Sequence, residues 1–128
     1  MAVVFGLDHV SLLVGDADKA LQFYQKVLHV GVLPRPDLGF PGYWLDLGGG
    51  QSLHLMQLEN SYASAKRPEH GGRDQHFALR VDSIDFFAEE LAVLGVAFTR
   101  SKSGRKALFF RDPDQNAVEL FEYRQPES

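Results

Sequence analysis

The chain has 128 residues, 45% of them hydrophobic and 23% charged, with a net charge of −4 and a pI near 5.7. That is the length of one domain and the composition of an ordinary globular core, and its acidic balance leaves no footprint for nucleic acid. Cysteine is absent, which excludes disulfides, thiolate nucleophiles and sulfur-ligated metals, and no apolar run approaches the roughly 20 residues of a membrane span.

The first ten residues, MAVVFGLDHV, lack the basic stretch, apolar core and cleavage site of a signal peptide, so a cytoplasmic protein is expected. A short apolar run from His9 to Val14 then reads as a strand. Asp16 follows as a candidate N-cap, because its short acidic side chain can accept from the orphan N–H groups of a first helical turn. The helix it starts covers about Ala17–Leu28, with Leu21, Tyr24 and Leu28 on one stripe. Gly31 is placed for a left-handed cap. Two strands between Trp44 and Leu55 turn about Gly48, Gly49 and Gly50. Residues 59–75 are polar, rich in structure breakers and long for a connection, so they form a linker or a lid.

The same order then recurs. His76 to Val81 repeats the first strand, and Asp82 stands as the second candidate cap. A helix of about Ser83–Leu94 carries Ile84, Phe87, Leu91 and Leu94 on one face, with Gly95 at its end. Trp44 to Leu55 lies over Phe109 to Leu120 without a gap, the second turn running from Asp112 to Asn116. Four elements repeated in order predict a duplicated α+β domain spanning 1–128. Module one covers 5–58, residues 59–75 join, and module two covers 76–123, each module being βαβββ.

The repeat pairs His9 with His76 and His54 with Glu119, at nearly equal spacings within each half. Strand parity assigns their direction. Val10, Leu12 and Val14 form the helix-facing side of the first strand, as Phe77, Leu79 and Val81 do in its copy. Leu53 and Leu55, then Val118 and Leu120, do so in the closing strands. His9, His54, His76 and Glu119 are left on the opposite face, among Leu13, Met56, Ala78 and Phe121. That mixture of apolar and titratable groups predicts a partly enclosed concave surface suited to a ligand. A lone strand histidine is usually a hydrogen-bonded structural residue. Three imidazoles and a carboxylate at equivalent positions of four apolar strands instead predict one divalent metal site, for Zn, Ni, Co, Mn or Fe(II).

At these residues the chain resembles the vicinal oxygen chelate superfamily, which includes glyoxalase I, fosfomycin-resistance thiol transferases, extradiol dioxygenases, bleomycin-resistance proteins and methylmalonyl-CoA epimerase. Asp8-His9-Val10, the pair Phe23-Tyr24, and the stretch from Phe110 to Glu119 carry the resemblance. It implies two βαβββ modules whose sheet curls around a metal cup with the helices outside. It also implies ligand roles for His9, His76 and Glu119, with Glu119 loosening to act as the catalytic base. His54 stands where glyoxalase I usually has Glu or Gln. Gln115 occupies a turn position usually held by Gly, so Gln115 or Asn116 must adopt the unusual backbone angle.

Three neutral imidazoles and one carboxylate leave a divalent ion with a local charge of about +1. Such a site favours an anionic, bidentate small-molecule ligand, thiol-linked in the glyoxalase case, and acidifies a neighbouring C–H. The expectation is a metal-dependent lyase or isomerase of glyoxalase I type, working as a homodimer. The rival readings are a thiol transferase, a ring-cleaving dioxygenase, or a non-catalytic drug- or metabolite-binding protein. Trp44, Met56, Arg105, Arg111 and Phe121 are candidate substrate contacts; Arg105, Lys106 and Arg111 read first as a solvated basic rim, with a grip on an anionic tail as the alternative. His70 reads as a surface histidine of the connection, and His29 as complementing the helix dipole.

Overall fold

Alternating burial along the strands organises two sheets, each with one face under a helix. The structure, a computed structural model, describes residues 1–124. The chain divides into two units, Met1–Ser61 and Tyr62 onward, so residues 62–75 pack with the second. The first unit runs β1 (His9–Leu13), α1 (Ala17–Leu28), β2 (Val32–Leu33), β3 (Gly42–Gly48) and β4 (Gln51–Met56). The second runs β5 (His76–Val81), α2 (Ile84–Val93), β6 (Phe98–Arg100), β7 (Ala107–Arg111) and β8 (Ala117–Glu122), preceded by a 3-10 turn at Gly71–Arg73.

The sheets have one topology, β1-β4-β3-β2 and β5-β8-β7-β6. The pairs β1–β4 and β5–β8 are parallel and the rest antiparallel. This is the duplicated βαβββ, α+β fold expected from the sequence. Leu53 and Leu55 of β4, and Val118 and Leu120 of β8, are wholly buried. Each such side chain contributes about 1.5–3 kcal/mol relative to exposure, which holds the strands in register.

Both helices start at a side-chain cap, though not always the expected one. Asp16 accepts from Lys19 N–H at 3.1 Å, as predicted. In α2 the cap is Ser83, whose hydroxyl accepts from Phe86 N–H at 3.2 Å, and not Asp82. The alignment of His9 with His76 also sets Asp16 over Ser83, so the repeat itself held the answer. A second device is shared. Gln57 Oε1 accepts from Ala17 N–H at 2.9 Å, and Glu122 Oε1 accepts from Ile84 N–H at 3.0 Å. The strand end of each module thus holds down the start of its own helix.

The buried stripe of α1 is Ala17, Ala20, Tyr24 and Val27, with Leu21 and Leu28 beside it, half-buried. In α2 it is Ile84, Ala88 and Leu91, while Leu94 lies beyond the helix and is exposed. The left-handed residue after α1 is His29 (φ 57°), not Gly31, whereas Gly95 (φ 72°) ends α2 as expected. Of the two alternatives in the last turn, Gln115 takes the positive φ, at 70°. The Asp112 carboxylate compensates by accepting from Asp114 N–H, Asn116 N–H and the Asn116 amide, each at 2.9 Å.

Candidate functional site

Each unit brings two of the four predicted ligands together by the same strand register. In the first, His9 is opposite Ser52 and His54 is opposite Ser11, so the imidazoles are diagonal neighbours on one face. Their rings stack with centroids 4.1 Å apart. In the second, His76 is opposite Ala117 and Glu119 is opposite Ala78, the identical diagonal. His76 Nε2 lies 3.2 Å from Glu119 Oε1, and Glu119 is only 8% exposed.

The next strand over adds an aromatic wall in both units. Trp44 lies opposite His54 and stacks on it at 4.3 Å and 9°. Phe109 lies opposite Glu119 and meets His76 edge-on at 5.2 Å and 88°. Phe109 escaped the sequence reading, although Trp44 aligns with it and strand parity puts both on the ligand face. Met56 is half-buried on the His54 side of β4. Tyr43 turns to the other face and donates to the Asp18 carboxylate in the first turn of α1, which holds its phenol above the usual range.

Neighbours orient the imidazoles. His9 Nδ1 is 2.7 Å from the Asp8 carboxylate, and His76 Nδ1 is 2.9 Å from the Asp74 carbonyl. An acceptor beside Nδ1 in each case favours a proton there and an available lone pair on Nε2, the arrangement found in metal-binding histidines. His54 Nε2 is 2.9 Å from Ser52 Oγ. Burial and then the adjacent His9 hold the His54 pKa below the usual imidazole range, against the pull of Asp8. The ring is therefore neutral at pH 7. This donor chemistry suits a divalent transition metal. Among the described residues, however, no group of three or more His, Asp or Glu side chains forms a metal site; the donors stand as two pairs.

The end of the connecting segment is clasped onto the second unit. Asp74 Oδ2 accepts from Arg111 at 2.8 Å and from Arg67 at 3.1 Å. Arg111 also donates to the Gln115 carbonyl at 2.8 Å and the Pro68 carbonyl at 2.7 Å. Burial pushes the Asp74 carboxyl up, but Arg111, Arg67 and the Gln75 N–H outweigh it and hold it low. The guanidinium of Arg111 is thus engaged inside the fold. His70 is not a surface group either: it is half-buried, with Nδ1 2.7 Å from Thr99 Oγ1 and its ring against Phe109 at 4.8 Å. Lys106 reaches Glu122 at 3.4 Å and Asp85 at 3.7 Å. Arg105 lies over the Phe121 ring at 4.1 Å.

A duplicated βαβββ frame presenting these diagonals has known counterparts. Residues 6–120 match the Glyoxalase/Bleomycin resistance protein/Dioxygenase superfamily. The chain belongs to this superfamily. Among curated superfamily relatives, it is 32% identical over 120 residues to glyoxylase I 4 of Arabidopsis thaliana, covering 89% of this chain and 68% of that protein. It is 30% identical over 128 residues to lactoylglutathione lyase of Haemophilus influenzae, covering 94% of each. A crystal structure of a putative glyoxalase family protein from Bacillus anthracis superposes with TM-score 0.77 at 25% identity, over 97% of this chain and 99% of that one. FosX, the fosfomycin resistance protein of Listeria monocytogenes, shares the fold with TM-score 0.73 at 22% identity, over 93% and 91% of the two chains.

Proposed function

We propose that this superfamily member is a metal-dependent lyase or isomerase of glyoxalase I type, acting on a small molecule with two vicinal oxygens. The observation that carries the reading is the His76–Glu119 pair, a buried carboxylate within reach of an oriented imidazole. The lactoylglutathione lyase relative supports the reaction class. His9, His54, His76 and Glu119 are the proposed ligands of one divalent cation, Zn, Ni, Co, Mn or Fe(II). They come together either within one chain or between two copies in a homodimer. The bound ion would polarise adjacent substrate oxygens and acidify the C–H beside them.

The chain's own groups do the rest. Asp8 and the Asp74 carbonyl hold the His9 and His76 rings in one tautomer. Glu119 takes the substrate proton on a carboxylate oxygen and returns it at the neighbouring carbon, and its low exposure keeps bulk water from competing. Trp44, Met56, Phe109 and Phe121 supply apolar walls. No helix among the described residues is long and apolar enough to cross a membrane, and we place the enzyme in the cytoplasm.

Elemental analysis and hemithioacetal turnover test the reading. One equivalent of metal per chain, lost in His76→Ala, together with lyase activity in at least one metal form, is the expected result. Absence of turnover with Ni, Co, Zn and Mn alike overturns the lyase assignment, and metal retained fully by His76→Ala overturns the ligand set.

A further inference from the structure

Of Arg67, Arg80, Arg105, Lys106 and Arg111 in the second unit, three are neutralised. Arg67 and Arg111 share Asp74, and Lys106 pairs with Glu122 and Asp85. The other two, Arg80 and Arg105, are both exposed and make no ion pair among the described residues. Each sits over an aromatic ring instead. Arg80 sits over Tyr123 at 4.5 Å and Arg105 over Phe121 at 4.1 Å.

Strand register and alternation set Arg80, Phe121 and Tyr123 on one face, and Arg105 joins them over Phe121. Arg80 is the direct partner of Phe121 in the parallel β5–β8 pair, and Tyr123 follows Phe121 by two residues. Phe121 lies two residues beyond Glu119, about 7 Å along the strand, and Arg80 lies four beyond His76, about 13 Å. The carboxylate that interrupts this stretch, Glu122, turns to the opposite face and is held by Ile84 N–H and Lys106. A ring beneath a guanidinium fixes its plane and leaves its N–H edge pointing outward, the geometry that accepts a planar or tetrahedral oxyanion in a fork.

We propose that Arg80 and Arg105, floored by Tyr123 and Phe121, form an anion-recognition site for a carboxylate or phosphoryl group, next to the His76–Glu119 pair. The substrate then carries that charged group about 7–13 Å from its reacting atoms along the strand direction. This deepens the proposed function, and its link to turnover rests on that reading; binding of the anion does not.

The test is an NMR titration of the arginine Nε–H signals with inorganic phosphate and, separately, with acetate, at constant ionic strength and without added metal. Saturable shifts of Arg80 and Arg105 with one shared affinity are expected. Arg80→Gln or Arg105→Gln should weaken that affinity by at least about tenfold, since each removes a charge-assisted contact. The anion that binds more tightly names the group on the substrate. No saturable shift with either anion, equal shifts at Arg100 and Arg124, or undiminished binding in the double variant overturns the site. Failure of the chain to turn over any hemithioacetal leaves this titration standing, so the two readings fail separately.

Discussion

His54 stacks on His9 with ring centroids 4.1 Å apart and planes 8° from parallel. Trp44 lies on its other side at 4.3 Å, so the imidazole is the middle layer of three. A ring held on both faces has little freedom to turn its nitrogens elsewhere. Trp44→Ala opens one side. The expected cost is about 2 kcal/mol by urea unfolding, below that of a fully buried aromatic because Trp44 is only half-buried. His54 ring signals should move with it. Unaltered His54 nitrogen shifts in Trp44→Ala would contradict the sandwich.

Gln57 and Glu122 do the same work with different charge. Hydrogen bonding from Ile84 N–H, reinforced by Lys106 and opposed by burial, holds the Glu122 carboxyl below the ordinary glutamate range. A carboxylate depressed in the folded state adds stability above its unfolded pKa of about 4.3, and that stability is lost as pH falls through the folded value. Glu122→Gln should therefore flatten the acid limb of the stability curve below about pH 4.3. Gln57→Ala should cost about 1 kcal/mol at every pH. An acid limb of unchanged slope in Glu122→Gln rules the mechanism out.

The clasp of Arg111 makes a prediction about the connecting segment. Arg111→Met removes three hydrogen bonds from a part-buried guanidinium and leaves Asp74 with Arg67 as its one guanidinium partner. A stability loss of about 2–4 kcal/mol is expected, with faster tryptic cleavage at Lys66 and Arg73. Arg67→Gln, which removes one longer contact, should cost less than half as much. Equal cleavage rates in wild type and Arg111→Met would show that the segment is held by something else.

Glu119→Gln keeps the shape of the side chain and removes its basicity. Under the proposed function, hemithioacetal turnover should fall by at least about 10²-fold while the thermal midpoint changes little. Turnover within a fewfold of wild type would move the base elsewhere.

The fold and the two diagonals were legible because strand alternation and duplication are written in residue spacing. His9, His54, His76 and Glu119 interrupt apolar runs at equivalent positions, and parity alone turns them to one face. What stayed hidden depends on side-chain reach. Arg111 looked like a basic rim residue because nothing local announces that Asp74, far back in the chain, will meet it. His70 looked exposed because its partners, Thr99 and Phe109, belong to later strands. Phe109 was concealed in an apolar run whose four residues before Arg111 are all buried, where a ligand-facing ring and a core ring read alike.

The repeated diagonal has one asymmetry with stereochemical weight. It ends in an imidazole in one module and in a carboxylate in the other, at the same register. Duplication supplied two copies of one scaffold, and divergence put a carboxylate on only one of them. Under the proposed function only the second unit offers a carboxylate base, so a prochiral carbon beside Glu119 would lose and regain its proton on one side and give a single enantiomer.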